Sequence, residues 1–138
     1  MRKSLWGAAL LAGLAVPAAA QQFTTAAEVR PILEMTTANW VAVREFDGQD
    51  LVYFTHLLAW RCGLTAVRFS INSTKSDHVW PMEPCYEGTA SPNAIKADQF
   101  LPYVALPLRS VDQIAVVLEM DDGTFLKATF DRAQVLMP

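Results

Sequence analysis

The 138-residue chain has only two cysteines, Cys62 and Cys85, and only two histidines, His56 and His78. A histidine-based catalytic triad therefore has few ways to be assembled. GxSxG, a glycine-rich phosphate loop and HExxH are all missing, so no local motif announces acyl-transfer, nucleotide or zinc-protease chemistry. Like-charged runs are missing too: the 11 basic and 14 acidic side chains are dispersed and give a net charge of −3. Nucleic acid and anionic membrane both require clustered Lys/Arg to neutralise phosphate, and neither is an expected partner. No internal repeat or low-complexity tract follows residue 20.

What is present begins with a targeting pattern. Arg2 and Lys3 form a basic start, Leu5 to Val16 an apolar centre, and Ala18-Ala19-Ala20 a small-residue cleavage site. The apolar stretch is short of the roughly 20 residues a membrane span needs, and Pro17 interrupts its end. Residues 1–20 are expected to be a cleaved signal peptide, no membrane span is expected after its removal, and the protein is expected to be secreted, in the periplasm. The remaining 118 residues suit one domain with a real core. Without Arg2 and Lys3, nine basic side chains face fourteen acidic ones, a net charge near minus five.

Cys62 and Cys85 are an even pair in a chain expected to enter an oxidising compartment, and a disulfide between them is expected. It closes a loop of about two dozen residues and, on the chain-entropy view, contributes roughly 3 kcal/mol.

Residues 21–38 are expected to form an N-terminal helical arm and residues 39–138 a single β domain. Thr25-Ala26-Ala27-Glu28 has the S/T-x-x-E helix-start pattern, and Val29, Ile32, Leu33 and Thr36 share one helical face to about Thr37. Pro31 lies beyond the first helical position and is expected to kink or shorten the helix. From Trp40 the period becomes strand-like. Asp47-Gly48 as a two-residue turn sets Glu45 opposite Asp50, an unfavourable like-charge pair. A four-residue loop pairing Phe46 with Leu51 is preferred.

Leu51 to Asn72 contains the longest apolar run after residue 20. It reads as two strands, 51–60 and 64–72, meeting at Arg61-Cys62-Gly63. Two arrangements stay open: a hairpin pairing Leu58 with Val67, His56 with Phe69 and Phe54 with Ile71, or a corner where the chain crosses between facing sheets. Thr65 to Ser73 alternates, with Val67, Phe69 and Ile71 on one face. Residues 78–100 carry three prolines and little periodicity, and a loop that long is expected to be functional or pinned. Leu101 to Leu108, broken by Pro102 and Pro107, reads as an edge strand. The last hairpin is expected to use a three-residue loop with Gly123 at positive φ, pairing Leu118 with Leu126, Val116 with Ala128 and Ile114 with Phe130.

One helix followed by six to seven short strands suggests a mainly β fold, an antiparallel sandwich. The segment YVALPLRSVDQIAVVLEMDDGTFLKATF resembles the last three strands of immunoglobulin-like and fibronectin-like modules. The resemblance implies an Ig-like fold and no particular function. The alternative is an α+β arrangement with the helix on one curved sheet.

Several residue groups merit weighing as sites. His56, Cys62, His78 and Met82 are blue-copper ligand types, but their spacing departs from that of cupredoxins, and a disulfide consumes the Cys62 thiolate. No metal or cofactor is expected. Trp60, His78, Trp80, Met82, Glu83 and Tyr86 surround the cysteines as a candidate binding surface, for an envelope protein or a glycan. Glu83 and Glu87 are a conceivable acid/base pair for an envelope hydrolase, although no catalytic residue is assigned. Asn72-Ser73-Thr74 fits the N-glycosylation pattern. The preferred expectation is a small, disulfide-stapled, non-enzymatic binding module with its recognition surface in residues 78–98. A purely structural envelope component is the other alternative.

Overall fold

The computed structural model describes residues 13 and 22–138. The expected signal peptide and its cleavage site lie outside the described residues.

Helix α1 (Ala26–Met35) begins at Thr25, whose hydroxyl accepts from the Glu28 amide at 3.2 Å and donates to the Glu28 carboxylate at 2.9 Å. Pro31 does not end it, and lies on the exposed side. The other side buries Ala26, Val29 and Leu33. Near the C-terminal end, the indole of buried Trp40 donates to the Leu33 carbonyl at 2.9 Å. That bond occupies one of the carbonyls a helix end leaves without an internal donor.

Strands β1 (Ala42–Phe46) and β2 (Gln49–Tyr53) pair with Phe46 opposite Gln49 and Glu45 opposite Asp50. The connection is therefore the two-residue turn and not the preferred four-residue loop. Asp47 and Gly48 both take positive φ, +50° and +74°, as such a tight hairpin turn demands. The like-charge objection is removed from far along the chain: Arg132 donates to Glu45 at 2.8 Å and to Asp50 at 2.6 Å.

The run after β2 is not a strand. It becomes a helical turn α2 (Thr55–Leu58) and then a 3-10 turn (Arg61–Gly63). Leu57 and Leu58 are consecutive and both buried, a pattern a one-sided strand cannot produce. His56 is therefore on α2 and not on a strand face. Gly63 lies so close to α1 that an added Cβ would sit 2.2 Å from Val29 Cγ2 and 2.9 Å from the Thr25 carbonyl oxygen. Only glycine permits that approach.

Strands β3 (Leu64–Ile71), β4 (His78–Val79), β5 (Tyr103–Pro107), β6 (Gln113–Met120) and β7 (Phe125–Asp131) follow, and α3 (Arg132–Val135) ends the ordered elements. They form two antiparallel sheets, ordered β1-β2-β5 and β4-β3-β6-β7. The fold is mainly β with a few short helices, and has two sheets where the α+β alternative needs one. β2 and β3 lie in different sheets, so of the two arrangements left open the hairpin pairing Leu58 with Val67 does not occur, and the chain passes from one sheet to the other between them. β5 is an edge strand, as its prolines require. In the final hairpin Leu118 faces Leu126, Val116 faces Ala128 and Ile114 faces Phe130, with Gly123 at φ +81°.

One buried cluster takes Val29 and Leu33 from α1, Val43 and Val52 from the three-stranded sheet, and Val67, Ile114 and Leu118 from the four-stranded sheet. The helix is thus part of the same core as the strands.

Candidate functional site: the pinned loop and an outer-face cavity

Residues 80–102 contain no helix or strand, yet three devices hold them: two tie the loop to the β2–β3 corner and the third ties the loop to itself. The first is the expected disulfide, Cys62–Cys85, with Cα atoms 5.0 Å apart. The second is Arg61, 1% exposed. Its Nε and Nη2 donate to the Pro84 carbonyl at 3.0 and 2.7 Å, Nη1 to Leu58 and Asn93 at 3.0 and 2.9 Å, and Nη2 also to Ala94 at 2.7 Å. A guanidinium is a rigid fork of five donors, and here it serves carbonyls from both sides of the loop and from α2. Burial lowers its pKa from the ordinary value, opposed by the negative charge of Glu83.

The third device is Glu83, 2% exposed. Its carboxylate accepts from the Tyr86 hydroxyl, from the Lys96 amide at 2.9 Å and from the Ala97 amide at 3.4 Å. Burial pushes this carboxyl's pKa up, but those hydrogen bonds and the Arg61 charge outweigh it, and the net shift is downward. The same bond pushes the Tyr86 hydroxyl up to about 12. The Cys62 amide also donates to the Asn93 side-chain oxygen at 2.9 Å.

The residues grouped around the cysteines by sequence separate in space. Trp80, expected on a binding surface, is 2% exposed and its ring lies 4.9 Å from that of Phe54. Glu83, also expected there, faces inward because the Tyr86, Lys96 and Ala97 donors are inside the loop. Trp60 is half-buried, edge-on to Phe23 at 5.1 Å. Tyr86 is half-buried, with Lys96 Nζ 4.0 Å above its ring. Met82 is half-buried and His78 exposed, 3.8 Å from Asp77.

Glu87 is exposed, whereas Glu83 is fully engaged and held ionised, the wrong state for a general acid. The copper-type set is dispersed: Cys62 is in the disulfide, and His56 on α2 bonds Thr36 at 2.8 Å. Asn72 holds a turn at φ +57°, accepting from the Asp112 and Gln113 amides and donating to Ser110.

Two hollows border the loop, one of mixed character and one apolar. The first, of about 320 Å³, combines Arg61, Thr65 and Glu83 with Val79, Trp80 and Met82, and the second, of about 360 Å³, contains Pro81, Phe100, Leu101 and Tyr103. Val79, Leu101 and Ile95 are 54%, 57% and 40% exposed. Sequence reading did not single out these aliphatic residues, although Leu101, an apolar residue next to Pro102 in an irregular stretch, carries a usable signal.

A separate cavity of about 390 Å³ lies at the three-stranded sheet, lined by Asn39, Ala42, Arg44, Tyr53, Thr55 and His56, with Met137. None of these except His56 was considered as a site. The alternation of Ala42, Arg44 and Phe46 against Val41 and Val43 was the available clue. Comparison of the chain with protein families, with curated proteins and with solved structures finds no match.

Proposed function

We propose that this protein is a small exported, disulfide-stapled binding module that engages a partner protein of the cell envelope through the pinned loop and its apolar rim. The observation carrying this reading is the contrast inside residues 78–102. Arg61 and Glu83 satisfy the inward polar groups of the loop, while Val79, Leu101 and Ile95 face solvent. A pre-ordered apolar surface loses little conformational entropy on association.

The loop's aromatic rings favour a protein over a glycan. Sugar binding on this surface requires free flat faces, but Trp80 is interior, Trp60 is covered by Phe23, and Tyr86 lies beneath Lys96. Exposed aliphatic side chains suit a protein contact. The export assignment rests on the targeting pattern of residues 1–20 and is supported by the disulfide.

The scaffold proposed is an immunoglobulin-like sandwich. Lettering the strands in order as A, B, C, C′, E, F and G gives A-B-E in one sheet and C′-C-F-G in the other, the arrangement of such modules with a C′ strand. The single core cluster drawing on both sheets supports the two facing each other. In that fold class loops at the sandwich ends commonly carry recognition.

The test is site-specific photocrosslinking in the envelope with the reactive residue at Val79 or Leu101, and at Phe125 on β7 as the comparison. A defined adduct is expected from the first two positions, and Val79→Asp with Leu101→Asp should abolish it. An adduct that forms equally well from Phe125, or survives both substitutions, contradicts the assigned surface.

A further inference from the structure

The cavity at the three-stranded sheet lies outside the loop and has its own chemistry. Ala42 pairs with Tyr53 and Arg44 with Leu51, so Ala42, Arg44, Phe46 and Tyr53 share the sheet face opposite Val43 and Val52. Val43 and Val52 belong to the buried cluster, which leaves the other four on the outer face. Tyr53 leans on Tyr103 of β5, ring centres 5.2 Å apart, and the Arg44 guanidinium lies 4.3 Å over the Phe46 ring.

Charge gives the cavity its selectivity. Arg44 is its one permanently charged lining residue, and no carboxylate lines it. Among the described residues Arg44 has neither a hydrogen bond nor an ion pair with a side chain. Arg132, by contrast, is neutralised by Glu45 and Asp50. In a chain of net charge −3 this is a local concentration of positive potential beside an aromatic wall.

His56 completes the polar lining. The Thr36 hydroxyl donates to the Ile32 carbonyl at 2.7 Å, so at its 2.8 Å contact with His56 it accepts, and the ring proton is on Nε2. Burial lowers the histidine's pKa, favouring the neutral ring, and Nδ1 is then an acceptor. The lining thus offers a cationic fork, hydroxyl and amide groups from Tyr53, Thr55 and Asn39, and one histidine acceptor.

We propose that this cavity binds a small ring-containing carboxylate: the carboxylate pairs with Arg44 and the ring packs against Tyr53. The cavity's volume falls within the range of small-ligand sites. A planar carboxylate matches the guanidinium in a paired hydrogen-bonding geometry that a neutral isostere cannot reproduce. An aromatic acid and a sugar acid share this chemistry.

The test is a titration of the purified, isotopically labelled protein, following backbone amide resonances, with 4-hydroxybenzoate, glucuronate and their neutral counterparts phenol and glucose. At least one carboxylate should shift the Ala42, Tyr53, Thr55 and His56 amides, and the stronger of the two identifies the ring type. Its neutral counterpart should bind at least tenfold more weakly. Arg44→Gln, on an exposed position, should retain the native spectrum and lose at least tenfold in affinity, whereas Leu101→Asp should leave affinity unchanged. Absence of shifts with both acids, equal binding of a neutral counterpart, or full affinity in Arg44→Gln overturns the proposal.

Discussion

Two stretches without regular structure are each held by a buried charge, and they are held differently. The Arg109–Asp112 turn depends on Asp50, 0% exposed, which accepts from the Arg109 and Val111 amides at 3.0 and 3.1 Å and from Arg132. There charge meets charge. The loop of residues 80–98 depends on Arg61, whose donors all go to backbone carbonyls, and on Glu83, whose partners are a hydroxyl and backbone amides. There charge organises neutral backbone, and a covalent bridge reinforces it. An ion pair responds to acid, whereas a guanidinium on carbonyls next to a disulfide responds to reduction and to loss of the arginine itself.

The most damaging change should be Arg61→Met. It leaves the carbonyls of Leu58, Pro84, Asn93 and Ala94 without their donor, and buried polar groups left unpaired cost about 1–3 kcal/mol each. A loss on the order of 5 kcal/mol in urea unfolding is expected. Asp50→Ala should follow, at about 3–5 kcal/mol, because it removes the buried carboxylate from Arg132 and leaves two amides unpaired. Its effect should centre on the Arg109–Asp112 turn and leave loop amides protected. Reduction of Cys62–Cys85 should cost roughly 3 kcal/mol and act on the loop, reversing the regional pattern.

The mildest test is acid. The Asp50 carboxyl is lowered to about 2, first by its bond to Arg132, so its contribution is complete above the unfolded value near 4. It is lost as pH falls from there through about 2, an expected decline of about 2 kcal/mol. Asp50→Asn should flatten that slope, and a slope unchanged by the substitution would contradict the assignment. Glu83, also lowered, should leave a smaller residual slope of the same sign.

Legibility of the sequence followed the range of the deciding interaction. The β6–β7 register could be read because Gly123 and two alternating strands are contiguous, and the α1 start because Thr25 and Glu28 are three residues apart. The β1–β2 turn could not, because Arg132 reverses the charge argument from more than eighty residues away. Trp80 and Glu83 look like surface residues in a proline-rich loop. They are interior because Phe54, Tyr86 and the Lys96 and Ala97 amides converge on them only once the corner at Arg61 has formed. The Leu51–Leu58 run was ambiguous for a physical reason: it passes from strand to helical turn after Tyr53, and a short apolar run that changes element holds no single period.

The most direct measurement of the central claim, that residues 78–98 are a pre-ordered surface, is amide hydrogen exchange of the oxidised protein at neutral pH. The Lys96 and Tyr86 amides, bonded to Glu83 and to the Pro92 carbonyl, should be protected at least a hundredfold over an unstructured chain and lose that protection on reduction or in Arg61→Met. Exchange of both amides at the unstructured rate in the oxidised wild-type protein would contradict it.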